Sequence, residues 1–118
     1  MTRAKAGDIV IVDWRGGALP KEPNSLRPAI VVEDETLFAP DYPNILVVPL
    51  TSDASIAMPS LSVTIDPAPD NGCKQRCFAL APSVTSVSVS RVRATASRIQ
   101  ADQLEELRKR IAEAIGVG

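Results

Sequence analysis

The sequence has no histidine among its 118 residues. That removes every mechanism that uses imidazole as general base or metal ligand, including Ser-His-Asp hydrolysis, Cys-His proteolysis and paired-histidine ribonuclease chemistry. Aromatics are scarce: Trp14, Phe38, Tyr42 and Phe78 are the full set, so a core has to be built from Val, Ile, Leu and Ala. Cysteine is limited to Cys73 and Cys77. Two thiols without a histidine do not complete a structural zinc site, and the expected state is a pair of reduced strand or loop cysteines. No apolar run approaches the roughly 20 residues needed to cross a bilayer. The opening stretch MTRAKAGDIVIVDW holds an apolar run too short for a secretory signal. The expectation is a cytoplasmic protein with no membrane partner, no metal and no cofactor.

What is present suits one domain over residues 1–118, with a core of modest size. The hydrophobic share of 45% and charged share of 23% are ordinary for a folded chain. Net charge is −1, which by itself does not suggest a nucleic-acid partner. The distribution is less even. Between Pro28 and Cys73 lie seven acids (Glu33, Asp34, Glu35, Asp41, Asp53, Asp66, Asp70) and no base. Between Asn71 and Ala101 lie five bases (Lys74, Arg76, Arg91, Arg93, Arg98) and no acid. A chain segregated in this way can present a positive surface unless folding interleaves the two segments.

Short β-branched runs dominate the first two thirds. Ile9–Val12 reads as a buried strand, as do Pro28–Val32, with proline at its first residue, and Ile45–Leu50, with Pro49 marking an edge or bulge. Leu61, Val63 and Ile65 alternate with polar residues, as do Val87 and Val89, and 77–81 is a further strand. Residues 15–28, rich in Gly and Pro, form a long loop, and long loops are often functional. At the end the period changes: Leu104, Leu107, Ile111 and Ile115 recur at helical spacing, with Gly116 where a helix-terminating glycine belongs. Four to six strands and one final helix predict a mainly β domain, a small barrel or sandwich covered by the helix.

Two places could carry chemistry. Arg27 ends the long loop, and Thr51-Ser52-Asp53 follows the third strand. If the second and third strands are antiparallel neighbours, Arg27 and Thr51 share one rim of the sheet. A guanidinium offers a permanent charge and a planar fork of donors that matches a phosphate. A hydroxyl adds one directed hydrogen bond. Together they can stabilise charge that builds on a phosphoryl group. The plainer alternative is that Arg27 pairs with a carboxylate and Thr51 merely ends a strand.

Gly7-Asp8-Ile9-Val10, a glycine-containing loop, Arg27-Pro28-Ala29-Ile30-Val31-Val32 and Val47-Val48-Pro49-Leu50-Thr51-Ser52 stand in an order that resembles the MazF/PemK family of bacterial toxins. The tail from Ala101 to Gly116 is similar to that family's last helix. The resemblance implies an SH3-like β-barrel with a C-terminal helix, a homodimer, and a metal-independent endoribonuclease that cuts single-stranded RNA at a short sequence. It also implies a cognate antitoxin, whose disordered tail would cover the RNA groove. The family's catalytic pair carries over to Arg27 and Thr51, and Glu22 stands where many members have a glutamate. Ser52, Lys21, Lys74 and Arg76 are candidate RNA contacts, and Trp14 is a candidate for stacking on a base or for packing under the loop.

The chain also departs from the family. Ala81-Pro82-Ser83 stands where an acidic or amide residue is usual, and Ser88-Val89 where many relatives have a base. Those changes bear on RNA preference and turnover, and keep open a non-catalytic interaction module. A gyrase poison of the CcdB type would share the barrel, but its mode typically uses an aromatic residue near the C-terminus. The sequence here ends Ala114-Ile115-Gly116-Val117-Gly118.

Overall fold

A computed structural model describes residues 3–15 and 26–118. The strands are β1 (Ile9–Asp13), β2 (Leu26–Val31), β3 (Asn44–Thr51), β4 (Ser62–Ile65), β5 (Cys77–Leu80), β6 (Thr85–Ser88) and β7 (Val92–Arg93), followed by helix α1 (Ala101–Ala114). They form one antiparallel sheet in the order β4-β5-β3-β2-β1-β7, with β6 also on β3. This is the mainly β class with a C-terminal helix that the sequence predicts. The sheet is not a closed barrel: among the described residues no ladder joins β4 to β7.

The three central strands are apolar on both faces because both are covered. On one face Ile9, Ile30, Val48 and Leu50 pack with Val63, Ile65 and Leu107 of α1. On the other Val10, Val12, Trp14, Ala29, Val31 and Val47 pack with Val87. That double burial explains why these strands read as unbroken apolar runs instead of alternating patterns.

Two prolines sit inside the sheet where their missing N–H does no harm. The Val32 N–H donates to the Leu46 carbonyl at 3.1 Å, so by alternation the even residues of β2 turn their backbone groups toward β3. Pro28 is even, and the β2–β3 ladder begins one residue later, at Ala29–Pro49. Pro49 turns toward the opposite edge of β3. There β6 pairs up to Val47 and β5 takes over at Leu50. The intervening turn, Ala81–Ser83, occupies the break. Ala81-Pro82-Ser83 therefore has a structural role as the link between β5 and β6.

Strand limits differ slightly from the pattern reading. β2 begins at Leu26, and Thr51 is the last residue of β3 instead of the first residue beyond it. Val89 does not continue β6: it begins a one-turn helix and is 41% exposed. β7 carries too short a pattern to be read from sequence. In α1, Leu107 is fully buried and Leu104 and Ile111 pack against the same core, while Ile115 lies beyond the last turn, exposed. The helix stops at Gly116, with φ of 85°. The Gly116 N–H donates to the Glu113 carbonyl (3.1 Å) and the Val117 N–H to the Ala112 carbonyl (2.9 Å), a Schellman termination.

Candidate functional site

The ladder between β2 and β3 pairs Ala29 with Pro49, Ile30 with Val48 and Val31 with Val47. Continuing that register by two residues brings Arg27 beside Thr51 at the open end of the two strands, on the same face. Thr51 is 1% exposed. Its Oγ1 accepts a hydrogen bond from the Asp53 N–H at 3.1 Å. Asp53 in turn caps the one-turn helix Ala54–Ile56, its carboxylate accepting from the Ser55 N–H (2.9 Å) and hydroxyl (2.6 Å). Successive side-chain-to-backbone bonds thus fix the chain as it leaves β3, and with it the Thr51 hydroxyl.

A groove of about 320 Å³ opens beside this rim, lined among others by Ile11, Arg27, Pro28, Ser52, Lys74 and Ser97. Its far wall is the loop 71–75, which is held in shape by one buried amide. Asn71 is 4% exposed. Its Oδ1 accepts the N–H of Ala68 (3.1 Å) and of Cys73 (2.9 Å), and its Nδ2 donates to the Asp66 carbonyl (2.8 Å). Gly72 follows with φ of 69°, and a Cβ there would lie 2.6 Å from the Ser97 hydroxyl. Another residue there would be strained at the backbone and would have to turn the Ser97 hydroxyl aside.

The other candidates divide. Arg27, Ser52 and Lys74 line the same groove. Arg76 instead holds Asp66 at 2.7 Å in an exposed ion pair. Trp14 lies in the second apolar cluster, 8% exposed. Lys21 and Glu22 lie outside the described residues. Folding brings the two charge segments together at Arg76–Asp66, whereas Arg98 approaches Asp8, outside the acidic segment, at 3.9 Å.

Pattern reading missed three contributors. Asn71 and Gly72 fall in a stretch, 66–72, whose Pro, Asp, Asn and Gly signal a turn and nothing more. Glu33 opens a polar stretch between two apolar strands, yet it is 2% exposed. It binds the Arg3 guanidinium at 2.9 and 3.2 Å and accepts the Leu46 N–H at 3.1 Å. The only local signal was a carboxylate directly after an apolar strand. α1 braces the same corner, Arg108 donating to the carbonyls of Val32 (3.0 Å) and Glu33 (2.7 Å).

Residues 5–115 match the model of a protein family described as PemK-like, MazF-like toxin of type II toxin–antitoxin system. Curated proteins gave no match. Among solved structures, the chain is similar to MazF of Deinococcus radiodurans, with 25% identity, a TM-score of 0.74 and 96% of each chain covered. It is likewise similar to the MazE–MazF complex of that organism, with 25% identity, a TM-score of 0.71, and 98% of this chain and 97% of that one covered. The toxin MazF-mt6 of Mycobacterium tuberculosis shares the fold at 21% identity and a TM-score of 0.71, covering 94% of this chain and 98% of that one.

Proposed function

The chain belongs to the PemK-like, MazF-like toxins of type II toxin–antitoxin systems, and on that premise we propose that it is a metal-independent endoribonuclease cutting single-stranded RNA at a short sequence. The observation that carries this reading is the convergence of Arg27 and Thr51 at one end of β2 and β3, beside a groove that also holds Ser52 and Lys74.

The reaction is a transesterification. The ribose 2′-OH attacks the adjacent phosphorus, the bond to the 5′ oxygen breaks, and a 2′,3′-cyclic phosphate and a 5′-OH result. Negative charge builds on the non-bridging oxygens as the new bond forms. Arg27 answers it with a permanent charge and paired donors. A guanidinium is a poor base, and Arg27 instead donates to the departing 5′ oxygen. Thr51 positions the phosphate from a hydroxyl held at the strand end. Lys74 and Ser52 hold neighbouring parts of the RNA. Glu22 is the candidate acceptor for the 2′-OH proton and Lys21 a further candidate RNA contact, while Trp14, buried in the second apolar cluster, packs and does not stack on a base.

In this reading the toxin acts as a homodimer in the cytoplasm, where its RNA substrate is. A co-produced antitoxin silences it by laying a disordered, acidic segment over the groove. The similarity to a solved MazE–MazF complex supports a protein partner.

Purified protein with EDTA and single-stranded RNA tests the assignment. Arg27→Ala is expected to lower the cleavage rate about 10²–10³-fold, with Arg27→Lys only partly active because a point charge replaces the fork. Cleavage by Arg27→Ala at near the parent rate would refute the role of Arg27. Arrest of DNA gyrase without RNA cleavage would favour a CcdB-like poison, and neither activity a non-catalytic module.

A further inference from the structure

Three asparagines, Asn24, Asn44 and Asn71, occur in the chain, and Asn71 alone precedes a glycine. Asn71 is 4% exposed, and its carboxamide holds three backbone groups of the connection between β4 and β5: the N–H of Ala68 (3.1 Å), the N–H of Cys73 (2.9 Å) and the carbonyl of Asp66 (2.8 Å). The backbone on both sides of the Asn71–Gly72 peptide is held as well. The Asp70 carbonyl accepts the Arg98 N–H at 2.8 Å. Gly72, at φ of 69°, comes so near the Ser97 hydroxyl that a Cβ would lie 2.6 Å from it. The turn thus favours glycine at 72. That same glycine makes the dipeptide prone to lose its amide, because a residue without a side chain leaves its backbone nitrogen unshielded from the preceding carboxamide.

We propose that Asn71–Gly72 is a deamidation site held shut by the fold, and that its conversion to aspartate or isoaspartate undoes the 66–76 connection between β4 and β5. The inference does not depend on the ribonuclease reading.

The Gly72 backbone nitrogen gives its proton to hydroxide and attacks Asn71 Cγ. The Cγ–Nδ2 bond breaks, ammonia leaves, and a cyclic imide closes. Water then adds to either imide carbonyl and opens the ring, giving aspartate or isoaspartate. Overall one water enters and one ammonia departs. In the folded chain the leaving Nδ2 is the atom tied to the Asp66 carbonyl, and Oδ1 is tied to two N–H groups. Turning Cγ toward the Gly72 nitrogen therefore breaks the lock first. After conversion, aspartate keeps an acceptor for the two N–H groups but sets a second acceptor against the Asp66 carbonyl, with a charge to bury. Isoaspartate routes the main chain through the former side chain and leaves no carboxamide to hold the turn.

The full chain is incubated at mildly alkaline pH, folded and in urea, and deamidation is read by peptide mapping. In urea Asn71 should react well ahead of Asn24 and Asn44. In the folded chain its rate should be about 10²-fold lower, the scale of three net hydrogen bonds opened first. Equal rates in the two states overturn the lock, and an Asn71 that outlasts the other two in urea overturns the site. Asn71→Asp supplies one product directly. Trypsin nicking at the exposed Lys74 and Arg76 follows the open population of the connection, and in this variant it should rise about tenfold at neutral pH. Its urea midpoint should lie below the parent's at neutral pH. That gap should narrow toward about pH 4, where a protonated carboxyl can again donate to the Asp66 carbonyl. Parent-like nicking and midpoint overturn the consequence, and a gap unchanged by pH overturns the carboxylate against the carbonyl as its cause. If Asn71→Asp does not fold, the parent chain aged in urea and returned to buffer replaces it. Deamidated chains should then be depleted from the refolded fraction, and equal deamidation in the refolded and unrefolded fractions overturns the proposal.

Discussion

Replacing Glu33 by alanine should be among the more damaging single changes available to this chain, although it lies outside the proposed site. The Glu33 side chain is entirely buried and that of Arg3 is 11% exposed. The carboxylate accepts two bonds from Arg3, at 2.9 and 3.2 Å, and one from the Leu46 N–H at 3.1 Å. Alanine leaves a buried guanidinium and a buried N–H without that acceptor. Removing one partner of a buried ion pair costs about 3–5 kcal/mol. Arg3 keeps its bonds to the carbonyls of Tyr42 and Asn44 and its position over the rings of Phe38 and Tyr42, so the lower end, about 3 kcal/mol, applies. At roughly 2.1 cal/mol/K of unfolding entropy per residue, 118 residues give about 0.25 kcal/mol/K, and Tm should fall by roughly 12 °C. Thermal unfolding followed by circular dichroism measures it, with urea titration as a second determination. Glu33→Gln should cost less, since it keeps an acceptor for the Leu46 N–H. An Arg3→Ala, Glu33→Ala cycle should yield a coupling of about 1–3 kcal/mol. A Tm for Glu33→Ala within about 2 °C of the parent would mean that the pair is not closed in solution.

Thr51→Val should lower RNA cleavage about 10²-fold while Thr51→Ser retains most of it, and equal rates for the two in a cleavage time course would remove the hydroxyl from the mechanism. Lys74→Ala should weaken RNA binding and reduce the steepness of its salt dependence by about one phosphate contact; an unchanged slope in anisotropy titrations would place Lys74 off the RNA. Leu107→Ala, at the one fully buried position of α1, should cost about 2–5 kcal/mol in urea unfolding by opening a cavity between helix and sheet, and a loss below 1 kcal/mol would show the helix to be dispensable packing. Cys73 also sets a pH dependence. Its folded pKa is raised from 9.0 to about 11, so the unfolded chain sheds this proton first and stability falls as pH rises through that window. Cys73→Ser should flatten the decline, and an identical pH–stability curve would contradict the burial of this thiol.

Much of the fold is legible because it is local. Runs such as Ile9–Val12 and Ile45–Leu50 have no polar face to show, and the structure covers them on both sides. The helix announced itself through the spacing of Leu104, Leu107 and Ile111, and Gly116 marked its end. What was not legible depends on partners distant along the chain. Val89 and Val87 look alike in sequence, yet Val87 is buried under β3 and Val89 is 41% exposed on a turn. Arg76 and Lys74 look equally suited to phosphate, but Arg76 is held by Asp66, ten positions away.

The sequence by itself determined the element types, the missing imidazole chemistry and the two blocks, Arg27-Pro28 and Thr51-Ser52, on which the family resemblance rests. These are matters of residue identity and short-range period, which a chain carries before it folds. Tertiary structure alone decided the register that aligns Arg27 with Thr51, the groove wall plugged by Asn71 and the burial of Glu33 against Arg3. Each of these depends on which strand edge or loop comes to lie beside which. That is set by the pairing of whole strands and the covering of both sheet faces, which no local stretch of sequence encodes.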